Sequence, residues 1–224
     1  MLKEKNITIL SLIPLLFFLF VFSGCGDFDC EKSGHKFVWK VFKTDYPADS
    51  EEVCAVCGTL SGQIRKTIIG DTGYAGGIIF YIAEEEFILT DTEDTARYLE
   101  AAPANAGWME WSIEMYVVAT ERDIGTGRDN TKKMIASVSD DETKLNNAAM
   151  ACAAYSYNGI NDWFLPSIDE LNALYESQVI PDTTPFWSST QDGTGNALAQ
   201  LFNDGSFTSY EKRTRNYVRA IRAF

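Results

Sequence analysis

Asn161-Asp162-Trp163-Phe164-Leu165-Pro166-Ser167-Ile168-Asp169-Glu170-Leu171 is the stretch whose reading decides how this chain folds. An apolar run ends at a proline, and a helix start follows at once. Ser167 with Glu170 three places on is a capping box. The hydroxyl takes one orphan amide of the first turn, and the carboxylate reaches back to another. Leu171, Leu174 and Tyr175 continue an apolar face at helical spacing. Glu170, which alone resembles a catalytic acid, is therefore read as a cap. Trp163 and Leu165, with Trp187 and Ile221 further on, are residue types that join helices to a twisted sheet.

Upstream, Asp141 to Tyr155 predicts a second helix, with Leu145, Ala148, Ala149 and Cys152 on its buried face. Cys152 then reads as a small core residue. Gly125-Thr126-Gly127 is a helix-initiating turn; it lacks the third glycine of a dinucleotide site. Gly76 to Ile82 reads as a strand, Glu84-Glu85-Glu86 as its turn, and Phe87-Ile88-Leu89 as the return. Tyr98 to Ala102 is another strand. It leads into a polar loop carrying Asn105, Trp108, Glu110 and Trp111, whose two indoles are the best candidates for stacking on a sugar or a partner. Downstream, Phe186 to Thr190 and Ala197 to Phe202 read as strands, with turns at Gln191–Gly195 and Asn203–Ser206, and Tyr217 to Phe224 as one closing strand. The expected class is α+β, two helices with a twisted antiparallel sheet, over residues 70–224.

Before the turn at Gly70-Asp71-Thr72-Gly73 lies a shorter unit, residues 25–69. It holds Cys30, Cys54, Cys57 and His35, the single histidine of the chain. A C-x2-C-G turn aims two thiolates at one point, and a Cys3His set of Cys30, His35, Cys54 and Cys57 would close a tetrahedral structural zinc site. A disulfide from Cys54 to Cys30 or Cys57 is the other staple the spacing allows. Some staple is needed, because about 40 residues bury too little apolar surface to fold unaided. The pattern Cys30, Gly34, His35, Trp39, Cys54, Cys57, Gly58, Arg65 resembles small zinc-ribbon modules of bacterial surface proteins, which implies a β module.

At the start, two lysines among residues 1–5 precede an apolar run from Ile7 to Phe22. That run is shorter than the roughly 20 residues a spanning helix needs, and its layout is that of a secretory signal. Phe22-Ser23-Gly24-Cys25 resembles a lipobox, so residues 1–24 are expected to be removed and Cys25 to carry lipid. Acyl chains anchor at about 0.8 kcal/mol per buried methylene, so attachment to the membrane needs no spanning segment. Gly26, rather than aspartate, follows the cysteine, which leans towards the outer membrane or cell surface over the inner membrane.

A formal charge of −13 makes nucleic acid and other polyanions poor ligands. A local basic patch would have to come from Lys212, Arg213, Arg215, Arg219 and Arg222, whose bland reading is strand ends paired with nearby carboxylates.

The order G-G-I-I-F-Y, A-x-x-x-C-A-x-Y, N-D-W-F-L-P-S-x-x-E-L, F-W-S-S-T, F-x-D-G-S and V-R-A-I-R-A-F resembles the family named for the C-terminal domain of a Legionella collagen-like adhesin. The resemblance implies a C-type-lectin-like fold, distantly related to the formylglycine-generating enzymes. It brings no chemistry. The late cysteine pair of those enzymes is missing, the domain holds no histidine, and the calcium-and-sugar tripeptides are absent. The expectation is a non-enzymatic surface lipoprotein that binds a glycan or a protein, with Trp108, Trp111, Asn105, Arg213 and Arg215 as ligand-binding candidates. An enzyme akin to the formylglycine-generating group and a structural envelope-assembly protein are the alternatives.

Overall fold

The computed structural model describes residues 35–41, 49–113, 117–138 and 147–224. It is α+β and mostly sheet. A small antiparallel sheet of β1 (Phe37–Val41), β2 (Asp49–Cys54) and β3 (Leu60–Lys66) comes first, in the order β1-β2-β3. The head carries two more. One is β11-β5-β4, from β4 (Ile78–Ile88), β5 (Thr95–Ala101) and β11 (Ile221–Ala223). The other is β6-β10-β7-β8-β9, from β6 (Gly107–Glu110), β7 (Pro185–Asp192), β8 (Asn196–Leu201), β9 (Phe207–Glu211) and β10 (Arg215–Val218). Three short helices are described: α1 (Gly127–Ala136), α2 (Ala148–Ala153) and α3 (Ile168–Glu176).

The Trp163–Leu171 stretch works by alternation. Trp163 and Leu165 enter a core with Trp111, Trp187, Met134, Ala148 and Cys152; Phe164, Ile168 and Leu171 enter a second core with Phe80, Leu99, Phe186 and Ile221. Successive residues of an extended chain point to opposite faces, so the run feeds both cores at once. Phe186 and Trp187 of β7 divide the same way. Phe164 is fixed by paired backbone bonds with Ile221, at 2.8 and 3.0 Å. Ser167 and Glu170 form the expected capping box on α3. Glu170 does more than cap. Its carboxylate accepts the Ser167 amide at 2.7 Å and the Gly125 amide at 2.9 Å, tying the start of α3 to the loop that opens α1. Burial pushes this carboxyl up to about 7.

Several sequence expectations are corrected. Glu84–Glu86 make no turn: β4 runs through them, and its register with β5 shifts between Ile82 and Phe87. Those glutamates are exposed on an edge strand, where charge is well tolerated. Arg97 of β5 holds the irregularity by donating to the carbonyls of Ala83 and Glu84. The chain reverses later, where the Leu89 amide donates to the Asp94 carbonyl at 2.8 Å. Tyr217 to Phe224 is two strands, β10 and β11, in different sheets, so the end of the chain joins the sheets together. The sheets are also not wholly antiparallel, since β10 meets β7 in parallel at Tyr217 and Phe186. The helix-initiating turn at Gly125-Thr126-Gly127 does open a helix, α1, beside the two whose extents were expected. The second helix is described only from Ala148, capped by Asn147, and its expected start lies outside the described residues.

The small sheet is fastened to the head at Asp71 and Thr72. Asp71 accepts from Ser50 Oγ at 2.8 Å, the Ile68 amide at 3.0 Å and Arg65 at 3.0 and 2.5 Å. Thr72 pairs with Trp39 and Val41 of β1, and Val41 is buried with Ile79 and Tyr98. Among the described residues no helix is long and apolar enough to cross a membrane. Residues 1–34, with the expected signal, lipobox and Cys25, lie outside the described residues.

Candidate functional site

Among the described residues, two places bring residues singled out from the sequence together with neighbours capable of chemistry or recognition. The first is the turn after β2. Cys54 closes that strand, and Gly58, at φ +74°, turns the chain back in a conformation that favours glycine. The Gly58 amide donates to the Cys54 carbonyl at 2.9 Å, and the Cys54 amide donates to the Thr59 carbonyl at 2.8 Å. Pairing of β1 with β2 sets Phe37 opposite Cys54, which delivers His35 to the same turn. His35 Nδ1 lies 3.4 Å from Cys57 Sγ, and the ligand atoms of His35, Cys54 and Cys57 all fall within 4.8 Å of one another.

The electrostatics suit a cation. The Cys57 amide, with help from Val56 and His35, brings Cys54 down to about 5 against the opposing effect of burial. Hydrogen bonding to Cys54 and Cys57 raises His35. A thiolate is the form that binds metal, and amides aimed at it keep it in that form. Two sulfurs and one imidazole nitrogen converging within this span are a donor set that zinc accepts. Cys30, the expected fourth ligand, lies outside the described residues. Cys54 and Cys57 are not joined in a disulfide.

The second place is the outer face of β6 and β10. Trp108 is 55% exposed and stands directly opposite Tyr217, itself 37% exposed. Two pairs further on, on the same face, Glu110 stands opposite Arg215, with 3.7 Å between Glu110 Oε1 and Arg215 Nε. The Arg215 guanidinium also lies 5.4 Å from the Trp108 ring. The result is an aromatic ledge of two rings, flanked by one ion pair, at the edge of the five-stranded sheet.

Of the residues singled out from sequence, Trp108 and Arg215 belong to this ledge and Trp111 does not. Trp111 is fully buried, its Nε1 donating to the Ser188 carbonyl at 2.8 Å. The reason is parity: it lies three positions after Trp108, just past the end of β6, and an odd step in extended chain crosses to the other face. Asn105 is half-buried, and its Oδ1 is shielded with no partner among the described residues. Arg213 is exposed and donates to the Ile113 carbonyl at 3.3 Å, away from the cross-strand square. No basic patch forms from the C-terminal cations. Lys212 is fully buried with its ammonium 4.8 Å from the Trp111 ring, and burial brings it down to about 8. Arg219 donates to the Ala102 carbonyl, and Arg222 is held by Asp162 and Glu100. Tyr217 was missed, since only the β6–β10 register brings it beside Trp108.

Residues 92–222 match the family model of the Lcl C-terminal domain. No curated protein is matched. Among solved structures, the chain is similar to a fimbrial protein from Bacteroides ovatus, with a TM-score of 0.51 at 11% identity. That likeness, of fold alone, covers 81% of this chain and 58% of the fimbrial protein, so this chain spans less than two thirds of its length.

Proposed function

The chain belongs to the Lcl C-terminal domain family, and from that premise we propose that it is a non-enzymatic binding lipoprotein of the cell surface, recognising a glycan or protein ligand. The observation that carries this reading is the ledge of Trp108 and Tyr217, two aromatic residues opposite each other and open on one face of the sheet. Trp, Tyr and Arg are the residue types that dominate recognition surfaces, because each offers a large apolar area with a polar handle. Arg215 and Glu110 beside the rings supply a donor and an acceptor for orientation. The buried carboxylates Glu170 and Glu100 are occupied with backbone amides, which supports binding over catalysis. The head is read as C-type-lectin-like, the likeness to a fimbrial protein agrees with a surface role, and lipid on Cys25 is the anchor.

Cys30, His35, Cys54 and Cys57 hold one structural zinc in this reading, closing all four positions around the metal. Its chemistry is then cross-linking of β1 to the β2–β3 turn, not activation of water. The test of the whole proposal is a glycan array and a pulldown with the full chain, repeated with Trp108→Ala. A ligand retained by the parent and weakened about tenfold or more by the substitution is expected, as for a central aromatic contact. A ligand held equally by both proteins removes the ledge from the account.

A further inference from the structure

Asn161–Phe164 has a role beyond feeding the two cores. The stretch forms one wall of an open cavity of about 290 Å³ whose other wall is α1. Arg128, Lys132 and Ile135 face it at helical spacing, and Ala153 adds apolar surface.

Charge is unequally divided between these walls. On the helix side, two cations share one carboxylate: Asp91, almost fully buried, accepts from Arg128 Nε at 2.9 Å and from Lys132 Nζ at 2.5 Å. Among the described residues, one positive charge is left over. Lys132 is 60% exposed, and its ammonium has two further N–H groups to offer. On the opposite wall the ratio is inverted. Arg222 is shared between Asp162, at 2.8 and 2.9 Å, and Glu100, at 3.3 Å. The triad carries one carboxylate more than Arg222 can balance, and Asp162, 47% exposed, is the member of it that lines the cavity.

We infer that this cavity binds a small zwitterion, an α-amino acid with an apolar side chain. The carboxylate lies against Lys132 and Arg128, the ammonium against Asp162, and the side chain against Ile135 and Ala153. A simple anion meets repulsion from Asp162, a simple cation meets it from Lys132, and a neutral apolar molecule desolvates both charges without pairing either. The two leftover charges are matched only by a ligand that carries both.

Titration calorimetry of the full chain at pH 8, which favours the ionised carboxylates, tests this with L-leucine, N-acetyl-L-leucine and L-leucinamide. Leucine is expected to bind, with each blocked derivative about tenfold weaker or worse, the loss of one charge contact. Lys132→Gln, on an exposed side chain, is expected to weaken leucine by a similar factor while leaving the melting curve unchanged. Asp162→Asn is expected to do the same, with a melting curve to check that Arg222 still holds its place. Absence of leucine binding at millimolar concentration overturns the inference. So does equal binding of leucine and N-acetyl-L-leucine, or leucine binding indifferent to Lys132→Gln.

Discussion

The small β1–β3 sheet and the head behind it reach stability by different physical routes. In the head, Trp111, Trp187, Phe80, Phe164 and Phe186 are completely or almost completely buried, and two cores press on the sheets between them. In the small sheet, Leu60, Ile64, Val38 and Val56 are exposed, and only Val41, Val53 and Cys54 are apolar and buried. Most of β3 faces solvent. Apolar burial at ~25 cal/mol per Å² holds the first region without help and leaves the second short. A cluster of His35, Cys54 and Cys57 and a carboxylate at Asp71 stand where the missing core would be. The lesson is that a short sheet with a poor core keeps its shape through a few polar contacts at its ends.

The contrast breaks most sharply at the metal cluster. Cys54→Ser with Cys57→Ser should take zinc content from one per chain to none by metal analysis. It should also strip hydrogen-exchange protection from β1–β3, since structural zinc contributes about 10–16 kcal/mol in small modules. The melting transition of the head should stay in place. A protein that is metal-free as purified, with β1–β3 fully protected, refutes this account of the module.

Trp187→Ala asks the converse. Its ring is fully buried and its Nε1 donates to the Met109 carbonyl at 3.0 Å, so about 3–5 kcal/mol of head stability should be lost. Chemical denaturation measures this, and the zinc content should not change. A loss below about 1 kcal/mol is incompatible with a packed core at this position.

Legibility in the sequence followed the same division. The Trp163–Leu171 stretch could be read because the apolar run, the proline and the capping box are all local signals; its division between two cores is visible only in the structure. The Asn203–Ser206 turn was legible for the same reason, joining β8 to β9. What escaped depends on distant pairing. Tyr217 meets Trp108 only through β10 pairing with β6, and Lys212 is buried with its ammonium against the Trp111 indole, a residue far away in sequence. Glu84–Glu86 misled because a charge run usually marks a turn, while an edge strand tolerates it. The fate of Trp111 was within reach: counting an odd step from Trp108 would have placed it inside.

Glu170 gives the head a dependence on pH that the small sheet does not share. Its carboxyl titrates at about 7 in the folded chain against 4.5 when unperturbed. The folded state therefore holds the proton more tightly, and the stabilisation is fully present below about pH 4.5 and lost as pH rises through about 7. At 1.36 kcal/mol per pH unit, the span amounts to about 3 kcal/mol. Urea denaturation of the parent and Glu170→Gln at pH 5 and pH 8 should show the slope in the parent and its removal in the variant. The variant should be less stable at pH 5 as well, because one side of an amide donates where Gly125 and Ser167 both need an acceptor. Equal slopes in both proteins would exclude Glu170 as the source.

Asp71→Asn produces the smallest shift and the sharpest comparison, because this residue belongs to both regions. The substituted amide would keep the shape but present one acceptor oxygen to Ser50, Ile68 and Arg65 in place of two charged ones. Charge-assisted bonds of this kind contribute about 1.5–3 kcal/mol, and the exposure of Arg65 to solvent puts the loss near the lower end. If the small sheet is held by its own cluster, the loss should fall on the joint alone. Exchange should quicken at Thr72 and Val41, where β1 meets the head, while Cys54 and Gly58 keep their protection and zinc stays bound. If protection instead collapses across all of β1–β3, the joint and not the cluster is what orders the small sheet, and the division between the two regions is drawn in the wrong place.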